Sequence, residues 1–112
     1  MSRATRLDRT LAALADPHRR GVVDLLRKRP RPASEIANAM GLSPPAMSRH
    51  LRVLLQAGLV ADERLAEDAR ARVFRLRPQS LVALQAWLDQ LQAHWDQQLA
   101  SFRRHLEERP RR

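Results

Sequence analysis

The fold is decided in residues 33–60, where the chain reads ASEIANAMGLSPPAMSRHLRVLLQAGLV. Gly41 stands between two short apolar patterns, and glycine tolerates the left-handed backbone conformation in which helices often end. Ser43 then offers a side-chain oxygen as a helix N-cap, and Pro44 occupies the first helical position, where its missing N–H costs nothing. Residues 33–58 therefore predict two helices joined by a tight turn, which is a helix-turn-helix.

The second helix of this pair has one apolar face and one polar face. The apolar residues recur at three- and four-residue spacing and are Met47, Leu51, Leu54 and Leu55. The opposite face carries Pro45, Ser48, Arg49, Arg52 and Gln56. Arginine can bond guanine bidentately and hydroxyls can bond bases or phosphates, so this face suits a DNA major groove. An ordinary helical hairpin with a solvated basic face is the alternative that this stretch alone leaves open.

The flank and the N-terminus of the second helix indicate their function less clearly than its polar face does. His50 lies beside the apolar stripe, where packing against the preceding helix and contact with DNA are both open interpretations. The N-terminus near Ser43 favours a phosphate, because the first N–H groups of a helix carry partial positive charge.

Residues 59–77 predict a β-hairpin directly after the helix-turn-helix. The segment 73–76 has strand composition with partial alternation, and residues 61–66 can pair with it. Residues 67–70 are then the predicted turn. A hairpin that follows a recognition helix is a wing, so the two motifs together favour a winged helix-turn-helix.

Composition and charge point to a polyanionic partner. The chain has 112 residues, enough for the single domain 1–112, and a formal net charge of +9. Residues 1–78 hold 16 basic and 8 acidic side chains, whereas residues 79–112 hold 5 and 4. The positive charge is therefore concentrated where the helix-turn-helix and the wing are predicted.

Several classes of protein are not expected. The sequence has no run of eighteen apolar residues and a polar N-terminus, so we expect neither a membrane span nor a signal peptide, and a cytoplasmic location. The absence of cysteine excludes disulfides and thiolate metal ligands. No glycine-rich phosphate loop, paired carboxylate pocket or nucleophile elbow is present, so we do not expect an enzyme.

Helices are also predicted on both sides of this central region. Leu7, Leu11 and Leu14 mark a short amphipathic helix, and Asp16 caps a second helix that runs from residue 17 to about residue 28. Residues 29–32, Arg-Pro-Arg-Pro, predict a loop. Residues 79–108 predict one long helix of roughly 45 Å, whose alternating three- and four-residue apolar spacing forms a seam for a partner helix.

With these features, the chain resembles the ArsR/SmtB family of winged helix-turn-helix repressors. The segments that carry the resemblance are LADPHRR at 14–20, SEIA at 34–37, LSPPAMSRHL at 42–51 and AGLV at 57–60. The resemblance implies a mainly α fold with five helices and a two-stranded hairpin wing, in the order ααααββα. One departure is visible: family wings usually carry Gly-Arg at the tip, and no glycine follows Gly58 here, which leaves the turn geometry open.

The resemblance also implies a symmetric dimer formed by the first and last helices. The residues expected in that interface are Leu7, Leu11, Leu84, Trp87, Leu88, Leu91 and Trp95. A two-fold dimer places two recognition helices about one DNA turn apart, which predicts an inverted-repeat operator.

Many members of the family that this chain resembles sense metals, and the ligand positions of their sites can be located in this sequence. The segment 34–37 lacks the cysteine ligands of one site, and Pro78, Ser80, Leu91 and His94 stand at the ligand positions of another. Neither set of residues makes the family's site, so we expect no metal and no cofactor. His94, His105 and Glu108 have a similar spacing at a shifted position and could bridge two helices through zinc, but solvated or interface-packed histidines are the favoured interpretation.

The predicted function is a homodimeric, sequence-specific DNA-binding transcriptional regulator that represses from an inverted-repeat operator. The residues expected on double-stranded DNA are Ser43, Pro45, Ala46, Ser48, Arg49, His50, Arg52, Arg70 and Arg72. Two alternatives remain: a protein-interaction module that uses the long tryptophan-bearing helix, and a small-ligand-responsive repressor with a pocket at the dimer interface.

Overall fold

A computed structural model describes residues 3–65 and 68–108, with side chains described for 5–64 and 72–108. Within these residues the helices are α1 (Arg3–Leu14), α2 (Pro17–Lys28), α3 (Ala33–Met40), α4 (Pro44–Gln56) and α5 (Val82–Glu107). The strands are β1 (Arg31–Pro32), β2 (Val60–Leu65) and β3 (Asp68–Leu76), and a 3-10 turn (Pro78–Leu81) precedes α5. The mainly α winged helix-turn-helix is confirmed, with one strand added to the predicted order.

Two of the helices begin at the caps that their sequences predict. The Oδ1 atom of Asp16 accepts hydrogen bonds from the backbone N–H groups of His18 at 2.8 Å and Arg19 at 3.3 Å, at the start of α2. The Oγ atom of Ser43 accepts one from the N–H of Ala46 at 3.3 Å, at the start of α4. Each cap satisfies N–H groups that have no partner inside the helix.

The turn between α3 and α4 depends on a left-handed glycine. Gly41 has φ +66°, and the N–H of Leu42 donates to the carbonyl of Ala37 at 3.0 Å, which closes the end of α3. Gly58 at the end of α4 has φ +75°, and the N–H of Leu59 donates to the carbonyl of Leu54 at 3.0 Å. Glycine adopts this conformation without the steric cost that a Cβ atom would add.

Gly41→Ala is expected to destabilise the fold by about 1 kcal/mol, because an L-residue pays that much in the left-handed region. Gly21→Ala in α2 is the control, since its added Cβ would meet only the flexible Met40 side chain, with Cε 2.7 Å away. Alanine has a higher helix propensity than glycine, and this gain offsets the cost of shifting Met40, so we expect little net change in the free energy of unfolding. Urea unfolding of both variants measures the difference, and a Gly41→Ala protein as stable as the parent would contradict the turn assignment.

The core lies where α2, α3 and α4 meet and the sheet closes one side. The fully or nearly fully buried side chains include Val22, Leu26, Ile36, Met47, Leu51, Leu54, Leu59, Val60 and Phe74. The predicted stripe of α4 is thus buried at Met47, Leu51 and Leu54, while Leu55 is half-buried. Burial of this stripe turns the opposite face of α4 outward.

The sheet has three strands in the order β1-β3-β2: β2 and β3 form the predicted two-stranded wing, and β1 adds a strand that was not predicted. Arg31 pairs with Phe74 and Pro32 with Val73, in a segment that the sequence predicted as a loop. The residue before a proline is forced into extended backbone, and proline is tolerated on an edge strand, so this Arg-Pro step can add to the sheet. Only the position of β3 reveals the pairing.

The predicted wing turn at residues 67–70 was also wrong. Residues 68–70 belong to β3, because Leu65 pairs with Asp68 across an irregular register after Arg64. Residues 66 and 67, which complete the connection, lie outside the described residues. Cross-strand pairing extends the hairpin further than the local composition, rich in Glu, Asp and Arg, predicts.

The long C-terminal helix begins later than the predicted residue 79. Pro78 opens a 3-10 turn, in which the N–H of Ser80 donates to the carbonyl of Arg77 at 3.0 Å, and α5 follows at Val82. α5 packs against α1, and the half-buried residues of α5 all lie between 83 and 86. The chain is elongated, at 77 × 31 × 21 Å. Among the described residues, no helix combines the length and the hydropathy that crossing a membrane requires.

Candidate nucleic-acid interface

The outward face of α4 is free and positively charged. Ser48, Arg49 and Arg52 are exposed on it, opposite the buried Met47 and Leu51. Within the described part of the chain, neither guanidinium forms an ion pair or hydrogen bond. Two unpaired cations with a hydroxyl beside them can therefore meet a ligand without first breaking contacts inside the protein.

The N-terminal turn of α4 adds further exposed positions. Ser43 and Pro45 are exposed and Ala46 is half-buried. The Ser43 hydroxyl accepts the Ala46 N–H as a cap, so its oxygen is already engaged within the protein. The partial positive charge of this helix end, rather than the hydroxyl alone, favours an anion here.

His50 is half-buried against the first turn of α2 rather than against α3. Its Nδ1 atom lies 3.4 Å from the Nη1 atom of Arg19. The ring of His18 is tilted by 56° to it, with 5.4 Å between ring centroids. The sequence left packing and DNA contact open for His50, and the structure shows a packing partner that the sequence did not suggest.

Asp16, His18 and His50 form the only group of three or more metal-ligand side chains found within the described residues, with ligand atoms no more than 4.8 Å apart. The guanidinium of Arg19 lies inside this group, 3.4 Å from Nδ1 of His50 and 3.9 Å from Oδ2 of Asp16. Arginine only donates hydrogen bonds, so it occupies the lone pair that a metal ion would need, and its charge repels a cation. We interpret the group as a hydrogen-bonded junction.

The charge balance at Asp16 supports that interpretation. Burial raises the pKa of the carboxyl, but hydrogen bonds from the backbone N–H groups of Arg19 and His18, with the positive charge of Arg19, outweigh it. The pKa of Asp16 is therefore lowered from its ordinary value, and the carboxylate stays charged as a cap and as a partner for Arg19.

The spacing of His94, His105 and Glu108 does not create a site within one chain. All three are exposed on α5 or at its end. The two histidines are eleven residues apart, which is roughly 16 Å along a helix. They could share an ion only with ligands from another helix.

Two arginines of the wing strand β3 form ion pairs with acidic residues of the neighbouring strand β2. Arg72 is exposed, forms an ion pair with Asp62 and lies over the Phe74 ring, with 5.4 Å from its guanidinium carbon to the ring centroid. Arg75 pairs with Glu63 at 3.8 Å. The Arg70 side chain, also predicted to contact DNA, lies outside the described residues.

Arg64 is a wing residue that the sequence prediction missed. It is exposed and lies directly opposite Arg72 in the register of β2 and β3, so the two side chains share one face of the hairpin. No local signal in the sequence identifies it, because only the pairing register of β2 and β3 places Arg64 opposite Arg72.

An apolar stripe runs the length of α5 without a partner in the described chain. Of the predicted dimer residues, Leu7 and Leu84 are half-buried, and the exposed ones are Leu11, Trp87, Leu88, Leu91 and Trp95. The stripe continues through Leu99, Phe102 and Leu106, which are also exposed. A contiguous apolar surface of this kind marks an interaction site in a soluble protein.

Known proteins share both this sequence pattern and this fold. A family model described as a helix-turn-helix domain matches residues 14–63. The HTH-type transcriptional regulator Rv2034 of Mycobacterium tuberculosis is 38% identical over 95 residues, which cover 85% of this chain and 83% of that protein.

Solved structures agree with these matches. An ArsR-like transcriptional regulator from Rhodococcus sp. RHA1 superimposes with a TM-score of 0.78 at 26% identity, over 95% of this chain and 97% of that one. The homodimeric winged helix-turn-helix DNA-binding domain of Mb0332 from Mycobacterium bovis gives 0.64 at 27% identity, over 97% and 89%. With a relative of this identity along most of its length and the winged helix-turn-helix architecture, the chain belongs to the ArsR family of transcriptional regulators.

Proposed function

We propose that this regulator binds double-stranded DNA as a homodimer and represses transcription from an inverted-repeat operator. The observation that carries the proposal is the exposed face of α4, where Arg49 and Arg52 have no partner within the described residues. The relative Mb0332 is a homodimeric DNA-binding domain, which supports the same arrangement here. The protein acts in the cytoplasm by occupying DNA and carries out no catalytic step.

Arg49, Arg52 and Ser48 read base edges in this proposal. Arginine forms a bidentate pair with guanine in the major groove, and a helix of this length fits that groove. Pro45 and Ala46 lie at the N-terminal end of the same helix, where apolar contact with thymine methyl groups is available. Ser43 and the helix N-terminus position the protein on a phosphate.

The wing supplies contacts that do not depend on base sequence. Arg64 and Arg72, with Arg70 on the same hairpin, hold the phosphate backbone or the adjacent minor groove. These contacts contribute affinity through the release of counterions and therefore weaken as salt rises.

Dimerisation through α5 and α1 sets the spacing of the two recognition helices. The exposed stripe on α5, with Leu7, Leu11 and Leu84 of the predicted interface, packs against its symmetry mate. A two-fold axis between the helices requires two half-sites related by inversion, about one helical turn apart.

Arg49→Ala is expected to relax specificity at one base pair of each half-site, at a cost of about 1–3 kcal/mol. Sequencing of DNA fragments that the parent and the variant select from a random pool measures this directly. The variant should lose its base preference at one position of each half-site and keep it at the others. Gln56→Ala, on the same face nearer the C-terminal end of α4, is the matched control. An inverted repeat recovered unchanged with Arg49→Ala would contradict the base-reading role.

Arg72→Ala is expected to lower affinity for every sequence and to reduce the slope of log K against log salt by about 1. Asp62→Asn is the paired variant, because it removes the carboxylate that neutralises Arg72. It should therefore raise affinity for nonspecific DNA. Fluorescence anisotropy over a salt series measures the affinity and its salt dependence in both variants. A slope unchanged in both would show that Arg72 does not contact DNA.

A further inference from the structure

Arg19 connects three helices through one side chain. Its Nε atom donates to the carbonyl of Ala13 at 2.7 Å and its Nη2 atom to that of Ala12 at 3.3 Å, at the end of α1. Its Nη1 atom lies 3.4 Å from Nδ1 of His50 on the recognition helix α4. The side chain is 18% exposed, so this guanidinium is held in place rather than free in solvent.

The neighbouring Arg20 offers a natural comparison. Its Nη1 atom donates to the carbonyl of Leu14 at 2.7 Å, so it also bonds to the last turn of α1. It carries the same charge one position along α2, but no contact with α4 is present among the described residues. Arg19 differs from Arg20 in the contact with His50, and also in its second bond to α1, its ion pair with Asp16 and its lower exposure.

The contact with Arg19 selects one protonation form of His50. A guanidinium has only N–H donors, so the ring nitrogen that faces it must hold a lone pair. In the neutral imidazole the single proton is then on Nε2. Among the described residues, Nε2 of His50 has no hydrogen-bond partner, and the ring is half-buried at the flank of α4 beside the exposed Arg49.

We propose that Arg19 is a positioning residue for DNA recognition: it holds His50 in the Nε2–H tautomer and so offers that N–H to an acceptor on the operator. The inference rests on the proposed binding of α4 to DNA. It adds Arg19, which touches no DNA itself, and assigns His50 a defined role as a donor. The Arg19 side chain also links α1, the helix that carries the predicted interface residues Leu7 and Leu11, to the recognition helix.

The tautomer can be measured in the free protein, without DNA. Long-range proton–nitrogen NMR spectra at about pH 8, where an ordinary histidine is neutral, separate the Nε2–H and Nδ1–H forms. We expect His50 in the Nε2–H form in the parent and in Arg20→Gln, and a mixture in Arg19→Gln. An Nδ1–H form of His50 in the parent would overturn the proposal.

Operator binding then tests whether the tautomer matters. Arg19→Gln removes one positive charge, two bonds to α1 and the ion pair with Asp16, whereas Arg20→Gln removes one charge and one bond to α1. Arg20→Gln therefore controls for the charge, and the His50→Ala background separates loss of the His50 contact from loss of the other contacts of Arg19. We expect Arg19→Gln to weaken operator binding roughly tenfold and Arg20→Gln less than about twofold, and Arg19→Gln to add nothing in a His50→Ala background. Equal losses in the two arginine variants would overturn the proposal.

A second pair of variants leaves Arg19 in place, in case its replacement unfolds the protein. The amide nitrogen of glutamine reaches about the position of Nε2, whereas that of asparagine reaches only the position of Nδ1. His50→Gln should therefore retain operator affinity within about threefold, and His50→Asn should lose roughly tenfold. Equal affinity of these two variants would show that the Nε2 donor is not used.

Arg49→Ala separates failure of this inference from failure of the proposed function. If Arg49→Ala relaxes specificity while the His50 and Arg19 variants bind as the parent does, only the positioning role of Arg19 is wrong. If the parent selects no DNA sequence at all, both are wrong.

Discussion

Replacing Leu91 by glutamate is expected to leave a folded monomer that binds the operator at least about a hundredfold more weakly. Leu91 is 51% exposed near the middle of the apolar stripe on α5 and takes no part in the buried core of the chain. A carboxylate at this position would be buried, uncompensated, in the proposed interface, which costs several kcal/mol in each protomer. Loss of the second half-site then removes an avidity of about 10²–10⁴.

Gln97→Glu is the matched control for this variant. It adds the same charge to α5 on the side away from the apolar stripe, so the dimer and operator affinity should be unchanged. Sedimentation equilibrium measures the mass, and circular dichroism shows whether the monomer keeps its helices. A Leu91→Glu protein that remains a dimer would exclude this stripe as the interface.

The second large effect is expected in the core beneath the DNA-binding face. Leu54→Ala should lower the free energy of unfolding by about 2–5 kcal/mol, because Leu54 is 0% exposed and its removal leaves a cavity. A domain has a total stability of about 5–15 kcal/mol, so this loss is a large share of it, and at the lower end of the range a sizeable fraction of the protein would be unfolded. DNA binding should fall in proportion to that fraction, since the outward arginines are untouched.

Val53→Ala is the control for the core substitution. Val53 is the adjacent residue of α4 and is 36% exposed, so its truncation should cost less than about 1 kcal/mol. Urea unfolding must be compared at one protein concentration, because a dimer's stability depends on it. Similar losses at the two positions would mean that the α4 stripe is not the centre of the core.

The helix-turn-helix could be predicted closely because its signals are local. The Ser43 cap, the proline after it and the left-handed Gly41 each act within a few residues, and all are present in the structure. The apolar spacing of α4 identified its buried side and hence the exposure of Ser48, Arg49 and Arg52. Their contact with DNA remains a prediction.

The same local signals failed where pairing partners are distant in sequence. Arg31 and Pro32 form a strand only because β3 lies beside them, although it is more than forty residues further along the chain. The wing is longer than predicted because cross-strand pairing reaches Asp68. Arg64 was missed for the same reason, since only the register places it opposite Arg72.

By itself, then, the amino-acid sequence determined where α2, α3 and α4 begin and end, which side of α4 is buried, and that the positive charge is concentrated in residues 1–78. Caps, turn glycines and apolar periodicity act over about one helical turn, so they can be recognised from residues that are close together in the sequence. Only the tertiary structure decided the third strand, the length of the wing and the contact of Arg19 with His50. These depend on how packed helices bring together side chains thirty or more positions apart, and the Arg19–His50 distance of 3.4 Å is the clearest case.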